Sequence, residues 1–229
     1  IENDSLLTMT QVISNVLLEN CPSGLKHEVG VLSGPSFAKE VANCQPTAVT
    51  IGFPNLDVAI EMQDVFANDY FRVYASKDVI GLEISASFKN VIAIASGVCE
   101  GLGYGFNTRA ALITRGLAEM RRLGAGLHVE DATFSGLSGL GDLVLTCTGD
   151  LSRNRMVGLK LGKGKCLNEI VKEMSMVAEG IKTTKAVHDL AAKLHIEMPI
   201  TEQVYQILYK GKACSKAVRD LLVREQKIE

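Results

Sequence analysis

The chain has 229 residues, enough for one large domain or two smaller ones. Hydrophobic residues make up 47% and charged residues 22% of the chain, which supports a packed core and excludes a disordered protein. The 24 lysines and arginines nearly balance the 26 aspartates and glutamates, which argues against binding to a nucleic-acid backbone.

The sequence predicts no membrane span and no secretory leader. The longest unbroken apolar run, from Val91 to Ala95, is far shorter than a bilayer requires. The chain opens with polar residues, and residue 1 is isoleucine rather than methionine, which is typical of a fragment or a processed product. We expect a cytoplasmic protein.

The cysteines and histidines favour neither a disulfide framework nor a metal site. Six cysteines are scattered without a C-x-x-C pair, so reduced cytosolic thiols are preferred over disulfides. His188 and His195 are seven residues apart, but no nearby carboxylate pattern supports zinc. We expect no metal.

The first part of the sequence alternates helical and strand patterns. The predicted elements are a helix at 5–19, a strand at 29–32, a tight turn at 33–36, a short helix at 37–41, a strand at 47–51, a helix capped by Asn55 and running to about 66, and a strand at 72–75. This alternation predicts an α/β sheet, of which the chain holds a part.

From about residue 79 onward the apolar spacing is helical. The predicted helices are 85–98, 108–123, 182–194, 201–209 and 215–224, and Pro199 is placed to open the fourth of these. We place the boundary near residue 82. The chain is thus divided into an α/β part, 1–82, and a helical part, 83–229.

Lys89 and Asn90 form a lone polar pair in an apolar, small-residue helix. A lysine held in a confined site loses solvation, which lowers the pKa of an ammonium toward the range useful for proton transfer. The alternative is a lysine whose stem covers the core while its head stays in water. Spacing alone favours this alternative.

A glycine-rich segment, 134–148, contains Gly136, Gly139 and Gly141, followed at once by Asp142. Closely spaced glycines let the backbone turn sharply or approach a ligand. Their order, G-x-x-G-x-G, is not the Rossmann fingerprint. The Asp142 carboxylate is suited either to cap the next helix or to face a neighbouring lysine, and both interpretations stay open.

A basic turn starts at Ser152, a good N-cap, and continues with Arg153, Asn154 and Arg155. Basic residues in the first turn of a helix oppose the helix dipole. A bound phosphate would remove this conflict, because the backbone N–H groups, the hydroxyl, the amide and the guanidinium are all donors to it. A solvated basic turn is the alternative.

Another glycine-rich stretch, 101–107, leads into a helix that Asn107 or Thr108 is placed to cap. A flexible connection is favoured here over a phosphate loop. Neither G-x-G-x-x-G nor a P-loop occurs in the 229 residues. If the chain belongs to a dinucleotide enzyme, the pyrophosphate loop lies upstream of Ile1.

Taken in order, these segments resemble the bacterial-type NAD(P)-dependent glycerol-3-phosphate dehydrogenase family. The matching stretches are SGPSFAKE at 33–40, PTAV at 46–49, the block from Gly81 through SFKNVIAIASG to Gly105, NTRAALITRGLAEMRRLG at 107–124, TFSGLSGLGDLVLTCTGDLSRNR at 133–155, VAEG at 177–180 and MPI at 198–200. The resemblance covers nearly the whole chain, and its long blocks are highly specific.

The resemblance implies a partial Rossmann-type α/β sheet followed by an all-α C-terminal domain, with NAD or NADP as cofactor. Ile1-Glu2 resembles the end of a KGIE motif, so about the first third of the enzyme is expected to precede Ile1. That third carries the family's NAD loop and the KGIE lysine, which contacts substrate. The stretch around Pro22 to His27 departs from the shorter spacing of the family.

The resemblance also implies roles for individual residues. Lys89 resembles the general acid/base that protonates the carbonyl oxygen of dihydroxyacetone phosphate as hydride arrives, and Asn90, Asp142 and Thr146 are implied to orient it. The implied substrate-binding residues are Gly34, Ser36, Lys89, Asp142, Ser152, Arg153 and Asn154. The implied cofactor contacts are Ser36, Ala38, Arg153, Val177 and Glu179.

The implied activity is reversible hydride transfer between NAD(P)H and dihydroxyacetone phosphate, which gives sn-glycerol 3-phosphate for glycerophospholipid synthesis. A homodimer is implied as well. Two alternatives stay open: a related dehydrogenase of another hydroxy acid, and a non-catalytic helical binding or dimerisation fragment. The pairing of SFKN for a carbonyl with SRNR for a phosphate argues against the first.

Overall fold

A computed structural model describes residues 1–21, 27–174, 178–226 and 228. The stretch at 22–26, whose length departs from the family spacing, lies outside these ranges. The elements of the N-terminal part are α1 (Met9–Asn20), β1 (Val31–Ser33), α2 (Ala38–Ala42), β2 (Thr47–Gly52), α3 (Leu56–Phe66) and β3 (Phe71–Ser76). They lie close to the predicted elements.

The three strands form one sheet in the order β1-β2-β3. Strand β1 is antiparallel to β2, while β2 and β3 are parallel with Thr47 opposite Phe71. Helix α3 makes the crossover that a parallel pair requires, and Asn55 caps it by accepting a hydrogen bond from the Asp57 N–H. The side chains of Val49 and Ile51 of β2 and Val73 of β3 are buried and form a small core.

Helix α1 begins four residues later than predicted. The Glu2 carboxylate accepts hydrogen bonds from the backbone N–H of Ser5 at 2.6 Å and from its hydroxyl at 2.7 Å, which holds a non-helical turn. Thr8 is the N-cap, and its N–H donates to the Gln11 side chain at 2.9 Å. The apolar periodicity extends upstream of this cap, so it placed the start of the helix too early.

The C-terminal part is helical. Its elements are α4 (Val79–Gly101), α5 (Phe106–Gly126), α6 (Asp131–Ser135), a π-helix (Leu137–Gly141), α7 (Asp142–Thr148), α8 (Arg153–Gly162), α9 (Leu167–Glu173), α10 (Glu179–Lys193), α11 (Pro199–Lys210) and α12 (Cys214–Leu222). The predicted fold class, a partial α/β sheet followed by a helical part, is confirmed. The division at residue 82 falls within α4 and stays a prediction.

Helix α4 is the axis of the helical core. Its residues 91–94 are completely buried, and α5, α7, α8, α10 and α11 pack around it. Within the described residues, it is the one helix long and apolar enough to cross a membrane. Its apolar window is 72% buried, which is the environment of a core helix.

Helices α4 and α8 cross at backbone distance. A Cβ at Gly97 would lie 1.9 Å from the Arg155 carbonyl oxygen, and a Cβ at Gly158 would lie 2.0 Å from the Ile94 carbonyl oxygen. Such separations leave no space for a side chain on either helix. The crossing sets the N-terminal end of α8 against the middle of α4.

Two further predicted helix starts are wrong. Helix α5 begins at Phe106 after an N-cap at Gly105, so neither Asn107 nor Thr108 caps it. Helix α4 begins at Val79, six residues before the predicted start, because the Asp78 carboxylate accepts from the Gly81 N–H at 3.0 Å.

Candidate active site

Lys89 and Asp142 form a largely buried ion pair between α4 and α7. The Lys89 ammonium donates to the Asp142 carboxylate, and the two side chains are 20% and 4% exposed. Gly141, not Asp142, is the N-cap of α7. Of the two interpretations of Asp142 left open by the sequence, the one facing a lysine is therefore correct.

Thr146 completes this pair from one turn further along α7. Its hydroxyl donates to Asp142 Oδ1 at 3.1 Å. Burial raises the pKa of the Asp142 carboxyl, while the Lys89 charge and the hydrogen bonds from Lys89 and Thr146 oppose that rise. The ammonium and the hydroxyl thus offset part of the cost of removing this carboxylate from water.

The π-helix places Asp142 at the start of α7. A Cβ at Gly139 would lie 2.2 Å from the Phe134 carbonyl oxygen, so this tight turn requires glycine. π-helical turns are often found at functional sites. The predicted role of the closely spaced glycines, a sharp turn of the backbone, is what the structure has at this position.

Asn90 and Asn154 connect the lysine to the basic turn. The Asn154 Nδ2 donates to Asn90 Oδ1 at 2.9 Å, and the Asn154 Oδ1 accepts from the Gly180 N–H at 2.9 Å. Asn90 follows Lys89 on α4, and Asn154 follows Arg153 on α8. The Asn90–Asn154 hydrogen bond therefore joins the segment of α4 that carries the lysine to the first turn of α8.

The basic turn carries its own carboxylate partners. Arg153 donates to Glu179 Oε1 at 2.9 Å, and these side chains are 39% and 53% exposed. Arg155 is buried and pairs with Glu100 at 3.2 Å and with Asp150 at 3.0 Å. These carboxylates offset the unfavourable placement of guanidinium groups near the start of α8. Arg153, the more exposed of the two, is the one that a ligand can reach.

Ser152 is the N-cap of α8, as predicted. Its hydroxyl oxygen accepts from the Arg155 N–H at 3.2 Å, and the residue is buried. Its oxygen is committed to the cap, so a phosphate could receive a hydrogen bond only from its hydroxyl hydrogen.

The turn after β1 lies against the π-helix. Gly34 has a φ of +149°, and a Cβ there would lie 2.9 Å from the Val49 Cα, so glycine is required. The Ser36 hydroxyl donates to the Gly34 carbonyl at 3.2 Å. The Ser33 and Ser138 hydroxyls share a 2.6 Å hydrogen bond, which joins this turn to the segment before Asp142.

The predicted site residues therefore fall into connected groups. Lys89, Asp142 and Thr146 form one group, Asn90 and Asn154 a second, and Arg153 with Glu179 a third. Ala38 opens α2 and is exposed. Val177 lies outside the described residues. Within the described ranges, no three histidine, cysteine, aspartate or glutamate side chains converge as metal ligands would.

Nothing in the sequence pointed to three further residues that hold the site and its supports in place. Gly180 donates its backbone N–H to Asn154, Ser138 joins two parts of the fold through its hydroxyl, and Glu100 pairs with Arg155. A backbone donor has no signature in the sequence. Serine and glutamate are too common on protein surfaces for either to stand out.

The comparisons with known proteins agree with this geometry. A family model described as the C-terminus of NAD-dependent glycerol-3-phosphate dehydrogenase matches residues 78–219, and its N-terminus counterpart matches residues 1–59. The chain belongs to this dehydrogenase family. A relative from Desulfotalea psychrophila, named glycerol-3-phosphate dehydrogenase [NAD(P)+], is 62% identical over 100% of the chain and 67% of that protein.

A solved structure supports the same family. The glycerol-3-phosphate dehydrogenase of Coxiella burnetii superposes with a TM-score of 0.90 at 42% identity, over 96% of the chain and 66% of that protein. A relative of the same name from Citrifermentans bemidjiense is 54% identical over 100% of the chain and 67% of its own length. The chain thus spans about two thirds of the length of these relatives. The predicted family, its oxidoreductase activity and its use of NAD or NADP are confirmed.

Proposed function

We propose that the protein containing this chain interconverts sn-glycerol 3-phosphate and dihydroxyacetone phosphate. The observation that carries this proposal is the Asn90–Asn154 hydrogen bond, which joins the segment of α4 that carries Lys89, paired with Asp142, to the turn of α8 that carries Arg153. A proton-transfer group and an anion-binding group connected in this way suit a small substrate with a carbonyl near a phosphate.

Lys89 is the general acid/base in this mechanism. In the reducing direction, its ammonium donates a proton to the carbonyl oxygen as the carbon becomes tetrahedral, and in reverse its amine takes the hydroxyl proton. When bound, NAD(P) supplies or accepts the hydride at its nicotinamide. The Asp142 carboxylate, held by Thr146, fixes the direction of the lysine head group.

Arg153 binds the phosphate. Its guanidinium breaks the hydrogen bond to Glu179, or keeps it with one nitrogen while another contacts the phosphate. The phosphate oxygens also accept from the Ser152 hydroxyl and the Asn154 amide. Gly34 and Ser36 line the substrate side, because their turn lies against the π-helix that precedes Asp142. We assign the cofactor contacts to Ser36, Ala38, Arg153, Val177 and Glu179, as the resemblance implies.

The proposal also includes the domain boundaries, the oligomeric state and the cellular role of the protein. We place residues 1–82 in the nucleotide-binding domain and 83–229 in the substrate domain. We further propose a cytoplasmic homodimer that supplies glycerophospholipid synthesis. These statements are supported by the family resemblance of the sequence, and an intact-mass and sedimentation measurement on the purified protein tests the dimer.

The experiment uses the protein extended upstream of Ile1 by the segment that the resemblance implies, called here the extended protein. It should oxidise glycerol 3-phosphate with NAD or NADP and leave glycerol and non-phosphorylated hydroxy acids unchanged. Lys89→Ala should lower kcat by roughly 10²–10⁴-fold, because a positioned acid/base is lost. Arg153→Ala should raise the KM for substrate by roughly tenfold or more.

Lys160→Ala is the matched control, because Lys160 pairs with Glu173 on the exposed surface of α8 and α9. It should leave both constants unchanged. Equal turnover of phosphorylated and non-phosphorylated substrates would indicate the related hydroxy-acid dehydrogenase. Intact folding and self-association with no turnover would indicate the non-catalytic fragment.

A further inference from the structure

The first turn of α10 obtains its capping acceptor from another helix. Ala178, the N-cap of α10, has no side-chain acceptor for the unpaired N–H groups at the helix start. The Gly180 N–H, at the second helical position, donates instead to Asn154 Oδ1 of α8 at 2.9 Å. Gly180 and Asn154 are both buried, so Asn154, and not water, satisfies the Gly180 N–H.

This bond fixes which way the two asparagine amides face. A backbone N–H can only donate, so the oxygen of Asn154 must face Gly180 and its NH₂ must face Asn90. The Asn90 oxygen therefore accepts from Asn154, at 2.9 Å, and the Asn90 NH₂ is left as a donor group. Among the described residues, this NH₂ group donates to the Ala86 carbonyl at 3.3 Å, and that bond uses one of its two hydrogens.

Residue 180 has no space for a side chain. A Cβ there would lie 2.7 Å from Asn154 Oδ1 and 2.9 Å from the Asn90 carbonyl oxygen. Glycine in a helix otherwise costs roughly 0.5–1 kcal/mol relative to alanine. The φ of Gly180 is not in the left-handed region. Glycine is therefore needed because Asn154 and Asn90 occupy the space of a side chain, and not because of the conformation of residue 180 itself.

We propose that Gly180 is a positioning residue for the reaction, acting through Asn154 on Asn90. Its N–H sets the polarity of both amides, so that Asn90 presents a hydrogen-bond donor beside Lys89 and selects a ligand with an acceptor oxygen at that point. The inference rests on the proposed function, because the acceptor is the reacting carbonyl or hydroxyl oxygen of the substrate.

The experiment is a double-mutant cycle in the extended protein, using Gly180→Ala and Asn154→Ala. Gly180→Ala should lower kcat about tenfold at a temperature well below its Tm, which the added Cβ should lower, and should leave the KM for NAD(P) unchanged. In the Asn154→Ala background, where the amide is already gone, the same change should lower kcat by less than threefold. Equal effects in both backgrounds would overturn the proposal, because Gly180 would then act independently of Asn154.

Asn154→Asp tests the polarity itself. Aspartate accepts from the Gly180 N–H but cannot donate to Asn90, so kcat should fall at least tenfold while the Gly180 amide stays protected from hydrogen exchange. Unchanged kcat with that amide protected would refute the proposed polarity. Gly105→Ala is the control, since nothing lies within 4 Å of a Cβ there. An inactive wild-type protein would refute the proposed function, and the role assigned to Gly180 would fall with it.

Discussion

Burial separates the cysteines into groups of different reactivity. Cys99 and Cys147 are buried, while Cys44 and Cys166 are exposed, and all are free thiols. Burial, and then the nearby Cys214, raises the pKa of the Cys99 thiol to about 11. Burial likewise raises the pKa of Cys147 well above its ordinary value. Because the thiolate is the reactive form, the two buried cysteines have neither the charge state nor the access that modification requires.

Iodoacetamide labelling of the native chain at pH 8 should therefore be selective. Cys44 and Cys166 should be alkylated within minutes, whereas Cys99 and Cys147 should react only after denaturation. Peptide mass spectrometry of samples quenched over time measures each site separately. A denatured sample is the control, in which all six cysteines should react. Alkylation of Cys147 as fast as Cys166 in the native protein would contradict the assignment.

Single residues of the site could be predicted where the sequence already concentrates the chemistry. Lys89 stands alone in an apolar helix, and Asp142 follows three glycines, so both were candidates, but spacing alone favoured a solvated head group for Lys89 and its role was implied by the resemblance. Their pairing has no local signature, because 53 residues separate them, and it was implied by the resemblance alone. The Asn90–Asn154 bond was missed for the same reason, since it depends on how α4 and α8 cross.

At the scale of the elements, the site depends on that crossing. Gly97 and Gly101 on α4 face Gly158 and Gly162 on α8, and a Cβ on any of the four would lie within 2.4 Å of a backbone atom of the facing helix. The spacing of four residues repeats on both helices, so the glycines line one face of each. The helical periodicity predicted α4, but periodicity alone does not reveal which other helix packs against its glycine face.

Gly158→Ala should destabilise the protein. The added methyl group gains helix propensity worth about 1 kcal/mol but must push α8 away from α4, which typically costs about 1–3 kcal/mol or more. We expect a net loss of stability in urea unfolding and, in the extended protein, a raised KM for substrate because Arg153 and Asn154 move with α8. Lys160→Ala, which removes a surface pair with Glu173 on the same helix, should change neither. A Gly158→Ala protein as stable as wild type would show that the helices can separate freely.

At the scale of the whole molecule, the sheet is joined to the helical part by a chain of buried hydroxyls. Ser33, at the end of β1, shares a 2.6 Å hydrogen bond with Ser138 of the π-helix, and Ser138 also donates to the Leu82 carbonyl of α4 at 3.2 Å. One side chain thus contacts the sheet, the segment before Asp142 and the helix of Lys89. The sequence predicted the two parts of the fold but not this connection, since both serines lie in segments that read as turns.

Ser138→Ala should loosen the sheet from the helical part. It leaves the buried Ser33 hydroxyl without its partner, which costs about 1–3 kcal/mol, and this cost falls on the junction rather than on the helical core. Hydrogen exchange should therefore rise by roughly 5- to 150-fold for the amides of β1 and β2, while residues 91–94 of α4 stay protected. Thr201→Val is the control, because it removes a buried hydroxyl that bonds Glu119 at 2.9 Å within the helical part, and it should leave β1 unchanged. Equal acceleration of β1 and α4 by Ser138→Ala would mean that the two parts unfold as one unit, with no separate junction for Ser138 to hold.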